Sequence, residues 1–151
     1  MPEAGRILGI DAGDRRIGIA ISDPDASFAL PLNSIFADGH EIDAIERLVR
    51  AEEVSELVVG LPLSLSGGDS DQTGRVREFA TRLEARLQLP VHLWDERLST
   101  HEAQSRTEDT SRVRGRRRSS RRAPPPADTD ALAASIILQA YLDRRRHQRS
   151  E

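Results

Sequence analysis

The chain has 151 residues, 37% of them apolar, 31% charged and 3% aromatic, with no cysteine and a formal net charge of −3. That length suits one compact domain around a single hydrophobic core, and it excludes enzymes that need two nucleotide-binding lobes. The missing cysteine excludes disulfide scaffolds, thiolate metal sites and cysteine nucleophiles, and it fits a reducing cytoplasm.

At the start of the chain, MPEAGRILGI lacks the basic-then-apolar run of a secretion signal, and no later stretch reaches the length of a membrane span. No membrane partner is expected. Arg6–Asp11 and Arg16–Ser22 are isoleucine-rich runs broken at Gly13–Asp14, which predicts a β-hairpin. Phe28–Phe36 is expected as a third strand, with Pro31 marking either a sheet edge or an irregular start. From Glu41 the period changes. Ile42, Ile45, Leu48 and Val49 fall at helical spacing, so an amphipathic helix ends near Ala51. Glu56–Gly60 reads as a short apolar strand of the kind buried in a parallel sheet.

Leu61–Asp71 is a loop by its Pro, Gly and Ser content. A helix follows, with Val76, Phe79, Ala80, Leu83 and Leu87 on one stripe and Pro90 as its stop. Val91–Trp94 is the next strand, and Ser99 or Thr100 caps a short helix through Arg106. Residues 109–127 have no periodicity and form a flexible, Arg- and Pro-rich loop. Asp128 or Thr129 then caps a last helix whose apolar residues, Ala131 to Leu142, cover most of its circumference. The order predicts a single α/β domain over residues 1–151, a mixed sheet with helices on both faces.

The charge is unevenly distributed. Residues 1–110 carry 11 Arg against 21 acidic residues, a net of −10, whereas residues 111–151 carry 11 Arg against four, a net of +7. Seven of the eleven positions from Arg112 to Arg122 are arginine. Such a segment suits a polyanion, while the acidic body does something else.

No phosphate loop, zinc-binding helix or nucleophile elbow is present, and the four histidines lie without ligand spacing. What remains is carboxylates at element ends: Asp11 after the first strand, Asp95 and Glu96 after the fifth, Asp128 and Asp130 at the last helix. An acid ending a buried apolar strand is costly unless it is paired or faces a cleft. Open α/β sheets place their functional crevice at the carboxyl ends of parallel strands, where several carboxylates can hold Mg²⁺ or Mn²⁺ for an in-line phosphoryl displacement. The plainer roles are a turn former for Asp11, a partner of Arg97 for Asp95 or Glu96, and a helix cap for Asp128. Alternation puts Ile7, Gly9 and Asp11 on one face of their strand, and it separates Asp95 from Glu96. Twist near the strand end leaves both as candidates. Asp130 lies on the apolar stripe of its helix with Ala134, Ile137 and Tyr141, so Asp130 is the site candidate and Asp128 the cap.

GIDAGDRRIGIAISD, VGLPL, LWDERLST and DALAASIILQAYL, in this order and spanning nearly the whole chain, closely resemble the RuvX/YqgF family. The resemblance implies a ribonuclease H-like fold related to RuvC resolvases. It also implies a metal-dependent nuclease that matures the 5′ end of pre-16S rRNA, with Holliday-junction resolution as an older family assignment. Carried onto this chain, the acids are Asp11, Asp95 or Glu96, and Asp130, with Asp11, Glu96 and Asp130 as ligands of Mg²⁺ or Mn²⁺. The VGLPL block supplies shape and backbone near the cleft. The chain departs from the family where Thr129 stands in place of an apolar residue before the last aspartate, behind an unusually dense arginine run.

On this reading Arg15, Arg97, Arg112, Arg114, Arg116, Arg117, Arg118, Arg121 and Arg122 hold the phosphates of structured RNA or branched DNA. The protein would act in the cytoplasm as a monomer or homodimer. With only five aromatics, most inside predicted elements, recognition by shape and backbone is expected rather than base stacking. Two other classes compete. One is an actin-like or sugar-kinase nucleotide binder, which shares the DxG hairpin but needs a second lobe. The other is a non-catalytic RNA-binding or ribosome-assembly factor.

Overall fold

The structure is a computed structural model that describes residues 5–63, 71–98 and 128–150. Five strands form one mixed sheet: β1 (Arg6–Ala12), β2 (Arg16–Ser22), β3 (Ala29–Phe36), β4 (Val54–Leu61) and β5 (Val91–Asp95). Among the described residues three helices pack on it, α1 (Glu41–Ala51), α2 (Asp71–Leu87) and α3 (Thr129–Ser150). The strand order is β3-β2-β1-β4-β5. The hairpin β1–β2 and its neighbour β3 are antiparallel, while β1, β4 and β5 run parallel, so three carboxyl ends open on the same side.

β3 is an edge strand with Pro31 in it, as the missing amide hydrogen of proline requires. β4 begins two residues before the predicted Glu56, and α2 begins at Asp71, one turn ahead of its first stripe residue. The loop residues 64–70, the predicted helix after Ser99 and the Arg- and Pro-rich segment 109–127 lie outside the described residues.

The two faces of the sheet differ in bulk. Leu8, Ile10, Ile17, Ile19, Ile21, Leu57, Val59 and Leu61 point to one face and meet Ile45 and Val49 of α1 and Val76, Ala80 and Leu83 of α2. On the other face the strands present Ile7, Ala20 and Val58 together with glycines, and α3 lies close over them through Ala134, Ile137, Leu138 and Leu142. A Cβ at Gly9 would stand 2.7 Å from Leu138 Cβ, so the small residue sets how near the helix sits. Helices therefore cover both faces, with α1 and α2 on the bulky side and α3 on the small-residue side.

Two polar anchors fix α3 along its length. At its start Asp128 accepts hydrogen bonds at Oδ1 from the backbone of Asp130 (3.0 Å) and Ala131 (3.2 Å), and at Oδ2 from the Ser34 backbone (2.7 Å) and hydroxyl (2.6 Å). Asp128, rather than Thr129, is thus the cap, and it ties the helix to the edge strand β3. The Ser34 hydroxyl in particular holds its carboxyl below the usual carboxylate range. Halfway along, Gln139 Oε1 accepts from the Ala29 amide (2.9 Å), and its Nε2 donates to the Ser27 carbonyl (3.1 Å).

Candidate active site

Asp11 lies near the carboxyl end of β1, on the α3 face, paired in register with Gly18 of β2. Glu96 follows the last residue of β5, two strands away, and its backbone amide donates to the Leu61 carbonyl at the end of β4 (3.1 Å). The side chain of Glu96 crosses β4 over Gly60 and hydrogen-bonds to Asp11. A Cβ at Gly60 would meet Glu96 Oε1 at 2.9 Å and Ile137 Cδ1 at 2.6 Å, so this carboxylate reaches Asp11 only because the intervening residue is glycine. The VGLPL block thus supplies an opening at Gly60 and an anchoring carbonyl at Leu61. The carbonyl of Pro62 also takes the hydroxyl of the buried Thr73, which ties the block to α2.

Gly18 plays the matching part for Asp130. A Cβ there would lie 1.9 Å from the Asp130 carbonyl oxygen and 3.0 Å from the Ala131 nitrogen, so the first turn of α3 rests directly on the β2 backbone. This places Asp130 beside Asp11, close enough for its charge to act on it. Neither glycine stood out in the sequence. Their signal was small residues in three strands that otherwise carry isoleucine, valine and leucine.

The electrostatics of the pair follow from its surroundings. Burial raises the Asp11 carboxyl above its ordinary value, with the Asp130 charge adding to the rise and the hydrogen bond from Glu96 opposing it. Glu96 is pushed up to about 7, first by burial, then by its hydrogen bond to Asp11 and by the charges of Asp11 and Asp95. The pair therefore holds one proton near neutrality, donated by Glu96 to the Asp11 carboxylate. Two carboxylates sharing a proton, with a third nearby, form an all-oxygen donor set suited to a hard divalent cation. Among the described residues no three acidic or histidine side chains converge tightly enough to enclose an ion. Asp11 and Glu96 form the joined pair, and Asp130 acts on it by charge.

Asp95 lies on the opposite face, in register with Leu61, and is held by Arg97 through Nη2–Oδ2 at 2.7 Å and Nε–Oδ1 at 3.0 Å. This ion pair and the Arg97 backbone amide keep the Asp95 carboxyl below its usual range. Arg15 is exposed in the β1–β2 turn just beyond Asp11. Arg112, Arg114, Arg116, Arg117, Arg118, Arg121 and Arg122 lie outside the described residues.

The model of the RuvX family, described as a Holliday junction resolvase, matches residues 5–144. The chain belongs to the RuvX family. A relative from Koribacter versatilis, named "Putative pre-16S rRNA nuclease", is 42% identical over 97% of this chain and 92% of its own length. RuvC of T. thermophilus, solved in complex with a Holliday junction substrate, superposes with a TM-score of 0.60 at 15% identity, covering 94% of this chain and 96% of its own. The yeast mitochondrial Holliday junction resolvase Ydc2 gives 0.52 at 12% identity, over 97% and 82%. At these identities the likeness shows the fold, and the fold is the ribonuclease H-like one expected of a RuvX chain. No helix among the described residues is long and apolar enough to cross a membrane.

Proposed function

We propose that this RuvX protein is a divalent-metal-dependent nuclease that hydrolyses phosphodiester bonds at the 5′ end of pre-16S rRNA in the cytoplasm. The observation that carries the reading is the meeting of Asp11 and Glu96 across Gly60, at the carboxyl ends of three parallel strands, with Asp130 alongside. A buried, proton-sharing carboxylate pair is costly to hold, and a fold that carries glycine where the two must meet spends stability on a charged site. The relatives' name supports RNA as the substrate class, and the description of the family supports branched DNA as the alternative.

Asp11 and Glu96 would hold Mg²⁺ or Mn²⁺, with Asp130 drawn in by the cation to complete the set, and the ion would supply Lewis acidity and neutralise charge developing on the phosphate. Glu96 must give up its proton to join that set, so bound metal should bring its ionisation below the metal-free value of about 7. Asp95 keeps Arg97 on the far side of the strand end. Arg15 and the arginines from 112 to 122 are the groups suited to holding phosphates near the cleft.

The test is cleavage by the purified chain of a pre-16S 5′ leader beside a four-way DNA junction, with Mg²⁺ or Mn²⁺ titrated in. Metal-dependent cutting of the leader and not of the junction is the expected result. Cutting of the junction alone would assign the protein to DNA resolution. An Asp11→Asn variant that processes RNA as well as the parent would overturn the metal-nuclease reading.

A further inference from the structure

The face that carries Asp11 and Glu96 continues outward along β5 to an aromatic group that the acid site does not use. Trp94 is two residues before Glu96, on the same face and in register with Gly60, the residue that Glu96 crosses. Along a strand this spacing is about 7 Å. The Trp94 ring is half-buried against the α3 side of the sheet, edge-on to Tyr141 with centroids 5.9 Å apart, and the Arg144 guanidinium stands 5.8 Å from its centroid. His92, one pleat further out, stacks on Tyr141 at 5.5 Å.

The group is rigidly supported from beneath. Glu56, whose side chain is 15% exposed, binds His92 Nε2 at 2.8 Å, pairs with Arg145 and accepts from the Tyr141 hydroxyl at 3.5 Å. Arg145 is thereby committed to Glu56, whereas Arg144 is exposed over the ring. An indole held by a T-shaped neighbour, with an arginine above it and beside a phosphodiester site, combines the two elements of single-strand recognition, a stacking surface and a backbone cation.

Resting on the phosphodiesterase reading above, we propose that Trp94 is a base-stacking subsite for an unpaired nucleotide next to the scissile bond, the base displacing Arg144 from the ring face and Arg144 taking that nucleotide's phosphate. The protein would then read single-stranded character beside its cut site. The low aromatic content gave no hint of this, because it cannot show that one of five aromatic rings lies within a pleat of the acids.

Trp94 is the chain's one tryptophan, so its emission reports this subsite alone. The full chain in EDTA is titrated with an oligoadenylate, a matched sugar–phosphate strand lacking bases, and a blunt RNA duplex. Saturable quenching by the oligoadenylate, and none by the other two, is expected. By filter binding, because the variants carry no tryptophan, Trp94→Leu should weaken oligoadenylate binding roughly 5- to 100-fold and leave the base-free strand unaffected, with Trp94→Phe restoring most of the loss. Arg144→Ala should weaken both strands. Absent quenching, or equal losses on both strands in Trp94→Leu, would overturn the subsite and leave Trp94 as packing. Nothing is cut in EDTA, so the two readings separate. Quenching without metal-dependent cleavage counts against the nuclease alone, and cleavage without quenching counts against the stacking subsite alone.

Discussion

In the unfolded chain the Glu96 carboxyl titrates near 4.5, and in the folded chain it keeps its proton up to about 7. Between those values the folded state binds more protons than the unfolded one, so stability falls as pH rises through that window. Below it the protonated pair costs little; above it two facing carboxylates repel without compensation. In EDTA, Glu96→Gln should therefore flatten the pH dependence and at about pH 8 raise Tm by roughly 2–4 °C, on the order of 1 kcal/mol once solvent screening of the cleft is allowed for. Adding Mn²⁺ should recover that stability in the parent and not in the variant. Thermal unfolding at acid and alkaline pH checks it, and a variant less stable than the parent at alkaline pH without metal would contradict it. The glycines give a second prediction at this scale. In Gly60→Ala the new methyl meets only side-chain atoms of Ile137 and Glu96, which can give way, so stability should drop by about 1 kcal/mol while cleavage falls steeply. In Gly18→Ala it meets the Asp130 backbone at 1.9 Å, so α3 itself must move, at a cost of about 3 kcal/mol or more. Urea unfolding of the two variants should rank them in that order.

At the scale of elements, α3 decides whether Asp130 faces Asp11, and Asp128 sets its start. Asp128→Ala removes the cap and both Ser34 bonds at once, so it should cost about 1–2 kcal/mol and lower activity without abolishing folding. Because the Asp128 carboxyl is held below its usual value, its contribution is present near neutral pH and lost on acidification, the reverse of the Glu96 trend. Comparing the pH profiles of Asp128→Asn and Glu96→Gln separates the two. Much of this level was legible beforehand. The isoleucine runs, the change of period at Glu41 and the stops at Gly13 and Pro90 each depend on local geometry, and each described element stands within a few residues of where local geometry put it. The assignment of Asp128 as cap rested on the same local reasoning. What local reasoning could not reach was the strand order, and with it the choice between Asp95 and Glu96 as the partner of Asp11. Alternation separates their faces but does not say which face looks toward β1 across β4. That is decided by Gly60 on the intervening strand, a contact between residues 36 and 49 positions from the acids it joins.

The whole molecule is divided in charge, and the division has a measurable consequence. A body with a net charge of −10 over residues 1–110 repels nucleic acid, and the Asp11 carboxylate carries that sign into the cleft. On the proposed reading, binding draws on residues 111–151, net +7, whose arginines outweigh the body's repulsion at short range. If about six phosphates are contacted, the logarithm of affinity should fall with the logarithm of salt at a slope of about −4 to −5, shallower for single strands than for duplex. Replacing Arg116, Arg117 and Arg118 with glutamine should reduce that slope by roughly 2–3 and weaken every nucleic acid alike, because phosphate contacts carry no sequence information. The same change should leave the thermal stability and the EDTA pH profile as they are, since the carboxylate pair belongs to the other half of the charge distribution. Filter binding across a salt series, parent beside variant, measures the slope directly. A salt-insensitive affinity in the parent would mean that the arginine segment does not grip the backbone. Tight binding without a salt slope would have to come from stacking and shape at the β5 edge, where Trp94 rather than the arginine run would then dominate recognition.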